Sequence, residues 1–224
     1  MAIVLHHMPQ MIIRARGVAA AVLSALCLTV GVSSAAASSM TFTFTDDSSV
    51  TGGAGTPPYG TVVVSTISGS TTMVDVLVTL ASGNKFVSTG GGHEALTWNI
   101  AGDPAISISG LPSGFVVGPA PDGVPGLGTF DYSIDCPGCG PGASHAKSGP
   151  LDFQVSLASG LTPNSFNTAN GSGYTFSADI ISGQTGKTGS VASLGGVSGS
   201  SVPEPLTLCL LGSGLGMLCA RRRK

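Results

Sequence analysis

A Cys-Pro-Gly-Cys run, Cys136 to Cys139, is the sharpest chemical feature in the interior of the chain. Proline and glycine between two cysteines make the tight turn that a short disulfide needs, and a disulfide is the leading reading wherever the chain meets an oxidising compartment. A redox dithiol would want its first cysteine at a helix N-terminus, where the thiolate is stabilised. Here a strand-like segment precedes, and Gly140-Pro141-Gly142 is a poor start for a helix. A metal site built from Cys136, Cys139 and His145 lacks a fourth ligand nearby.

Other polar clusters are weaker. His93-Glu94 opens like a zinc-protease motif, but Thr97 stands where the second histidine belongs. The preceding Gly90-Gly91-Gly92 lacks the Lys-Ser/Thr pair and helix of a phosphate loop, so an ordinary loop is expected. Asp131 and Asp135 fall on the polar side of one strand, about 13 Å apart at strand rise, too far for either usual glycosidase geometry. Asp46-Asp47, Asp103 and Asp122 are oxygen donors of the kind calcium takes, yet no D-x-D-x-D-G loop frames them. No G-x-S-x-G elbow is present. The residues therefore predict no catalytic set, no cofactor and no metal site.

The elements that carry these residues read as strands. Val74, Val76, Val78 and Leu80 alternate with polar or outward positions in Thr72–Ala81. Phe130, Tyr132 and Ile134 do the same, as do Leu151, Phe153, Val155 and Leu157, and Tyr174, Phe176, Ala178 and Ile180. A period of two marks a strand buried on one face. Further strands are expected at Met40–Thr45, Thr61–Ser68, Ala95–Ala101, Ala105–Ser109 and Phe115–Gly118. Trp98, with Leu96 and Ile100 on one side of its strand, is expected in a core and not on a sugar-binding platform. Turn residues such as Ser82-Gly83-Asn84 and Pro121-Asp122-Gly123 separate the strands. About nine strands and no long helical stripe predict an all-β fold, a β-sandwich of jelly-roll or immunoglobulin-like kind, over residues 38–181. Ser182 to Ser201 is rich in glycine and serine and reads as a flexible linker.

Charge is sparse and unevenly placed. Charged residues are 9% of the chain, against about 25% in ordinary globular proteins. Between Ser38 and Ser201 ten carboxylates face only Lys85, Lys147 and Lys187, a formal charge of −7. Such a domain repels phosphate backbones, which excludes nucleic acid as a general partner.

The remaining basic residues sit at the two ends. Arg14 and Arg16 precede the charge-free run Val18 to Val32, and small residues follow to Ser39. This is the order of a secretory signal, residues 1–37, with Ala35-Ala36-Ala37 as the cleavage pattern and the mature chain starting near Ser38. At the other end stand Val202-Pro203-Glu204-Pro205, an apolar run from Leu206 to Ala220, and Arg221-Arg222-Arg223-Lys224. The run spans about 22 Å as a helix, short of a hydrocarbon core of about 30 Å, and snorkelling basic side chains recover part of the gap. The four positive charges stop the chain on the cytoplasmic side.

In that order, at the extreme C-terminus and with an N-terminal signal, residues 202–224 resemble the PEP-CTERM sorting signal. The resemblance implies a single transmembrane sorting helix, 206–220, and recognition of Pro203-Glu204-Pro205 by an exosortase, a membrane transpeptidase. It also implies partners in the secretion machinery, signal peptidase and the membrane, passage through the inner membrane, transient anchoring, and a final place at the cell surface or outside it. The expected function is a structural or adhesive protein of the envelope or extracellular polysaccharide matrix. A carbohydrate- or small-molecule-binding module is the alternative, and a secreted hydrolase a more distant one.

Overall fold

The computed structural model describes residues 38–47, 53–89, 93–140 and 142–199. The expected signal peptide (1–37) and sorting signal (202–224) lie outside the described residues. Fourteen strands, joined by turns and one short 3-10 segment at Pro163–Phe166, make up the described chain.

The first sheet runs in the order β14 (Val197–Ser198), β1 (Ser39–Phe44), β2 (Gly60–Thr66), β3 (Met73–Leu80), β11 (Leu151–Ser156), β6 (Ser107–Ser109). The second runs β13 (Thr188–Ser193), β12 (Phe176–Ile181), β5 (Leu96–Trp98), β10 (Tyr132–Asp135), β7 (Val116–Val117), with β4 (Lys85–Phe86) also paired to β12. A separate hairpin joins β8 (Asp122–Val124) to β9 (Gly128–Phe130). Neighbours in both sheets are antiparallel.

The two sheets share one apolar core. From the first come Met40, Phe42 and Phe44, Val62 and Val64, Val74, Val76 and Val78, and Leu151, Phe153 and Val155. The second supplies Leu96, Trp98, Tyr132, Ile134, Phe176, Ala178, Ile180 and Val191. Alternation dictates this: in a strand every second side chain points the same way, so each strand spends its β-branched and aromatic residues on one face. Aromatic rings lock the sheets together. Phe176 lies 4.7 Å from Phe42 and 6.2 Å from Phe166, centroid to centroid. Trp98 lies 5.7 Å from both Tyr132 and Phe153. It is a core residue, as its spacing suggested.

The sheet thus formed is all-β and sandwich-like, as expected, but its C-terminal limit is not where composition placed it. Thr188–Ser193 lies inside the region that reads as a linker, yet it pairs with β12 over six residues. Val191 and Ala192 are fully buried, and β14 then returns to pair with β1. The small residues of this segment do not mark flexibility. They are small here because other chain covers them. Gly183 shows the same pressure: a Cβ there would come within 2.5 Å of the Gly83 carbonyl carbon, so two turns meet backbone to backbone. Asn84 ties them, donating to Tyr59 O (3.0 Å) and accepting from Gly183 N (2.8 Å). The folded body therefore extends through residue 199.

Two substitutions test this architecture. Phe176→Ala should cost about 3–5 kcal/mol in a urea unfolding experiment, since it removes a ring shared by both sheets; a loss under about 1 kcal/mol would contradict the packing. Val191→Asp should abolish cooperative folding, seen as a lost thermal transition, because it buries an unpaired charge; a linker position would tolerate it.

Candidate acidic site under the β8–β9 hairpin

The second sheet has an unusual outer face. Ala192, Ser177, Thr97 and Ser133 form one row across β13, β12, β5 and β10 by strand register, and all four are buried. An antiparallel sheet commonly leaves such a face to water. Here chain segments lie over it. Val124, Leu127 and Phe130 of the β8–β9 hairpin build a small second core on Ala192, with Tyr174 at its side. The Ser133 hydroxyl donates to Pro119 O (2.5 Å), and Asn170 Nδ2 donates to Leu127 O (2.9 Å).

Into this layer the chain sends four carboxyl groups from four places. Asp179 lies in the middle of β12 and is fully buried; Asp122 opens β8 and is 6% exposed. Asp135 closes β10, and Glu94 stands two residues before β5. Backbone contact joins two of the segments, since Asp179 N donates to Glu94 O (3.3 Å). Residues 88 and 89 supply donors. Thr89 gives its backbone N–H (2.9 Å) and its hydroxyl (2.7 Å) to Asp179 Oδ2. The Ser88 hydroxyl donates to Asp135 Oδ1 (2.9 Å), which also accepts from Cys136 N (2.6 Å). His93 Nδ1 lies 2.9 Å from the Ser190 hydroxyl of β13.

Supply falls short of demand. Glu94 Oε2, Asp122 Oδ2 and Asp179 Oδ1 are buried and meet no donor, and Thr97 Oγ1 in the same layer has no partner either. A buried carboxylate oxygen without a donor is costly when charged, which raises the pKa of the group. Burial, then the hydrogen bond and charge of Asp135, then Asp122 and Asp179, push Glu94 up to about 8. Burial raises Asp179 to about 7 against the opposing pull of the two Thr89 bonds. Asp122 is raised by burial too, with the Gly123 N–H and His93 acting the other way. The hydrogen bond between the Glu94 and Asp135 carboxyls needs one proton between them, because two carboxylates offer no donor.

The residues singled out in the sequence are distributed as follows. Cys136 and Cys139 are bonded to each other, Cα atoms 5.3 Å apart, and both are buried in the main core. Cys139 N donates to Cys136 O (2.8 Å), which closes the turn. His145 is exposed and contacts the Ser144 hydroxyl, away from any cysteine ligand role. Asp131 does not accompany Asp135; burial and the charge of Asp103 raise its pKa at the opposite end of β10. Asp46 accepts from the Tyr174 hydroxyl (2.8 Å), and Asp47 accepts from Ala54 N (2.8 Å). Among the described residues no group of three or more His, Cys, Asp or Glu side chains is placed to hold a metal ion, and no helix is long and apolar enough to cross a membrane. Val202, Pro203, Glu204 and Pro205, with Arg221, Arg222, Arg223 and Lys224, lie outside the described residues.

No local motif announces the acidic cluster. Its members are up to 85 positions apart, and the one local hint is an aspartate inside an otherwise apolar strand at Asp179. Two surface grooves open elsewhere. One, of about 320 Å³, is lined by apolar residues such as Ile106, Ile108 and Val117; the other lies near Asn84 and Lys85. Neither is lined by the four carboxyls. Comparison of the chain with protein-family models, curated proteins and solved structures finds no match.

The disulfide closes a loop of four residues, for which chain entropy alone gives about 2 kcal/mol. The Cys136→Ser/Cys139→Ser variant should lose at least that much by urea unfolding, and thiol alkylation of the unreduced protein should label no cysteine of this pair. Two reactive thiols would contradict the bond.

Proposed function

We propose that the chain is an exported, surface-sorted structural or adhesive protein of the cell envelope or extracellular polysaccharide matrix, processed by an exosortase. The observation that carries this is the ordered tail: Val202-Pro203-Glu204-Pro205, the apolar run 206–220, and Arg221-Arg222-Arg223-Lys224, together with the basic and apolar segment at the other end. The signal peptide directs the body outward, the terminal cations hold the tip back, and the two prolines keep the recognition box extended.

The limits of the folded body support this division. β1 begins at Ser39, one residue past the expected mature start, and the last strand ends at Ser198, before the sorting box. Among the described residues the body is an antiparallel, sandwich-like fold. In its first sheet β1, β2 and β3 stay adjacent as a meander. The binding-module alternative loses support because Trp98 and Tyr132, the large aromatics a sugar would stack on, are buried.

The test is fractionation of the native host. With Pro203, Glu204 and Pro205 replaced by alanine, or with the exosortase deleted, the full-length precursor should accumulate in the inner-membrane fraction. Processing identical to that of the unaltered strain would remove the reading.

A further inference from the structure

We propose that Glu94, Asp122, Asp135 and Asp179 form a proton-held clasp that fixes the β8–β9 hairpin to the outer face of the second sheet and loosens as the medium turns alkaline. This inference does not depend on the sorting reading; it concerns the folded body alone.

The geometry sets the terms. Asp122 belongs to the hairpin, whereas Asp135 and Asp179 belong to the sheet beneath it and Glu94 to the segment entering β5. Hairpin and sheet thus meet at their acids as well as at the small apolar core of Val124, Leu127, Phe130 and Ala192. The groups that face Glu94 are Asp135 from β10, Asp122 from β8 and Asp179 from β12, all acidic. His93 is the base that acts on Asp122. β13 presents Ser190 and β5 presents Thr97, neither of which titrates. No lysine is among the groups acting on Glu94, Asp122 or Asp179. Three buried oxygens lack donors. Protonated, these carboxyls lose most of their mutual repulsion and Glu94 can bond to Asp135. Ionised, like charges face one another in a layer that water reaches poorly, and separating the hairpin from the sheet is the direct relief.

The direction with pH follows from linkage. Glutamate and aspartate titrate near 4.5 and 3.8 without the fold, but Glu94 is moved to about 8 and Asp179 to about 7 within it. Between those limits the folded protein keeps protons that the unfolded chain has released, so stability falls as pH rises. The fall begins above about pH 4 and is complete beyond about pH 8. The released protons pass to water or hydroxide, and no bond between heavy atoms changes.

The full chain should be measured from pH 5.5 to 9. Its melting temperature should drop by about 5–10 °C over that range. Amide exchange in residues 122–130, corrected for its intrinsic pH dependence, should accelerate well before that in β2 and β3. The Glu94→Gln/Asp179→Asn variant replaces the two most shifted acids by amides that do not titrate, and should remove at least half of the slope. Asp75 and Asp131, also raised by burial, are untouched by that variant and would leave the slope intact if they were its source. A level melting temperature, an unchanged slope in the variant, or hairpin amides that open only together with the core would each overturn the proposal. So would a slope abolished by millimolar calcium with a rise in melting temperature, which would make the cluster a cation site instead. Should the variant fail to fold, the exchange experiment on the unaltered chain decides alone.

Discussion

Away from its exposed edge strand β7, the second sheet is buried on both of its faces, and much of the rest follows from that constraint. Its inner face meets the first sheet through aromatic and branched side chains, as any sandwich requires. Its outer face must also leave water, but under a thin cover that supplies only one small hairpin and a few loops. A thin cover approaches closely only over small side chains, and so Ser133, Ser177, Ser190, Ala192 and Thr97 occupy that side. Where acids stand among them, the layer has too few donors for every oxygen, and burial holds Glu94, Asp122 and Asp179 above the usual carboxylate range.

The inner face was legible in the sequence and the outer face was not. Alternation exposes a strand when one side is apolar and the other polar, which holds for Met73–Leu80, Leu151–Ser156 and Ser39–Phe44. In Thr188–Ser193 both sides are covered, but Val191 is the one sizeable apolar side chain there, so neither periodicity nor hydropathy reveals the strand. Glycine and serine are common in linkers because they pack against nothing. In β13 they occur because they are packed against something, and composition does not separate the two cases. The β8–β9 hairpin is similarly hidden, since Pro125 and Gly126 inside it signal only a turn. The Cys136–Cys139 pair, by contrast, was readable because three positions of separation leave the geometry little choice. The acidic cluster lies at the other extreme: it exists only after β5, β8, β10 and β12 have been brought together.

Chemistry is divided between the parts of this chain. Under the proposed function, the residues at its ends act only through other molecules: a peptidase, a membrane, a transpeptidase. The body turns its reactive groups inward. Both cysteines are bonded and buried, and the four clustered acids lie under cover. What it offers outward is mostly hydroxyls, amides and turn backbone, with Val116, Val117, Leu194 and Val197 as exposed apolar exceptions.

The pairing of β14 with β1 brings the two limits of the body side by side, with Gly199 N donating to Ser39 O at 2.8 Å. Any tension transmitted through the chain beyond Gly199 then acts on the margin of the first sheet and not along its length. Two residues of β14 would detach one hydrogen bond after another, as a zip opens, before the six-residue ladder of β13 felt the strain. The body would yield there first and at small force, sparing the aromatic centre, and could reseat the same short strand when the pull eased.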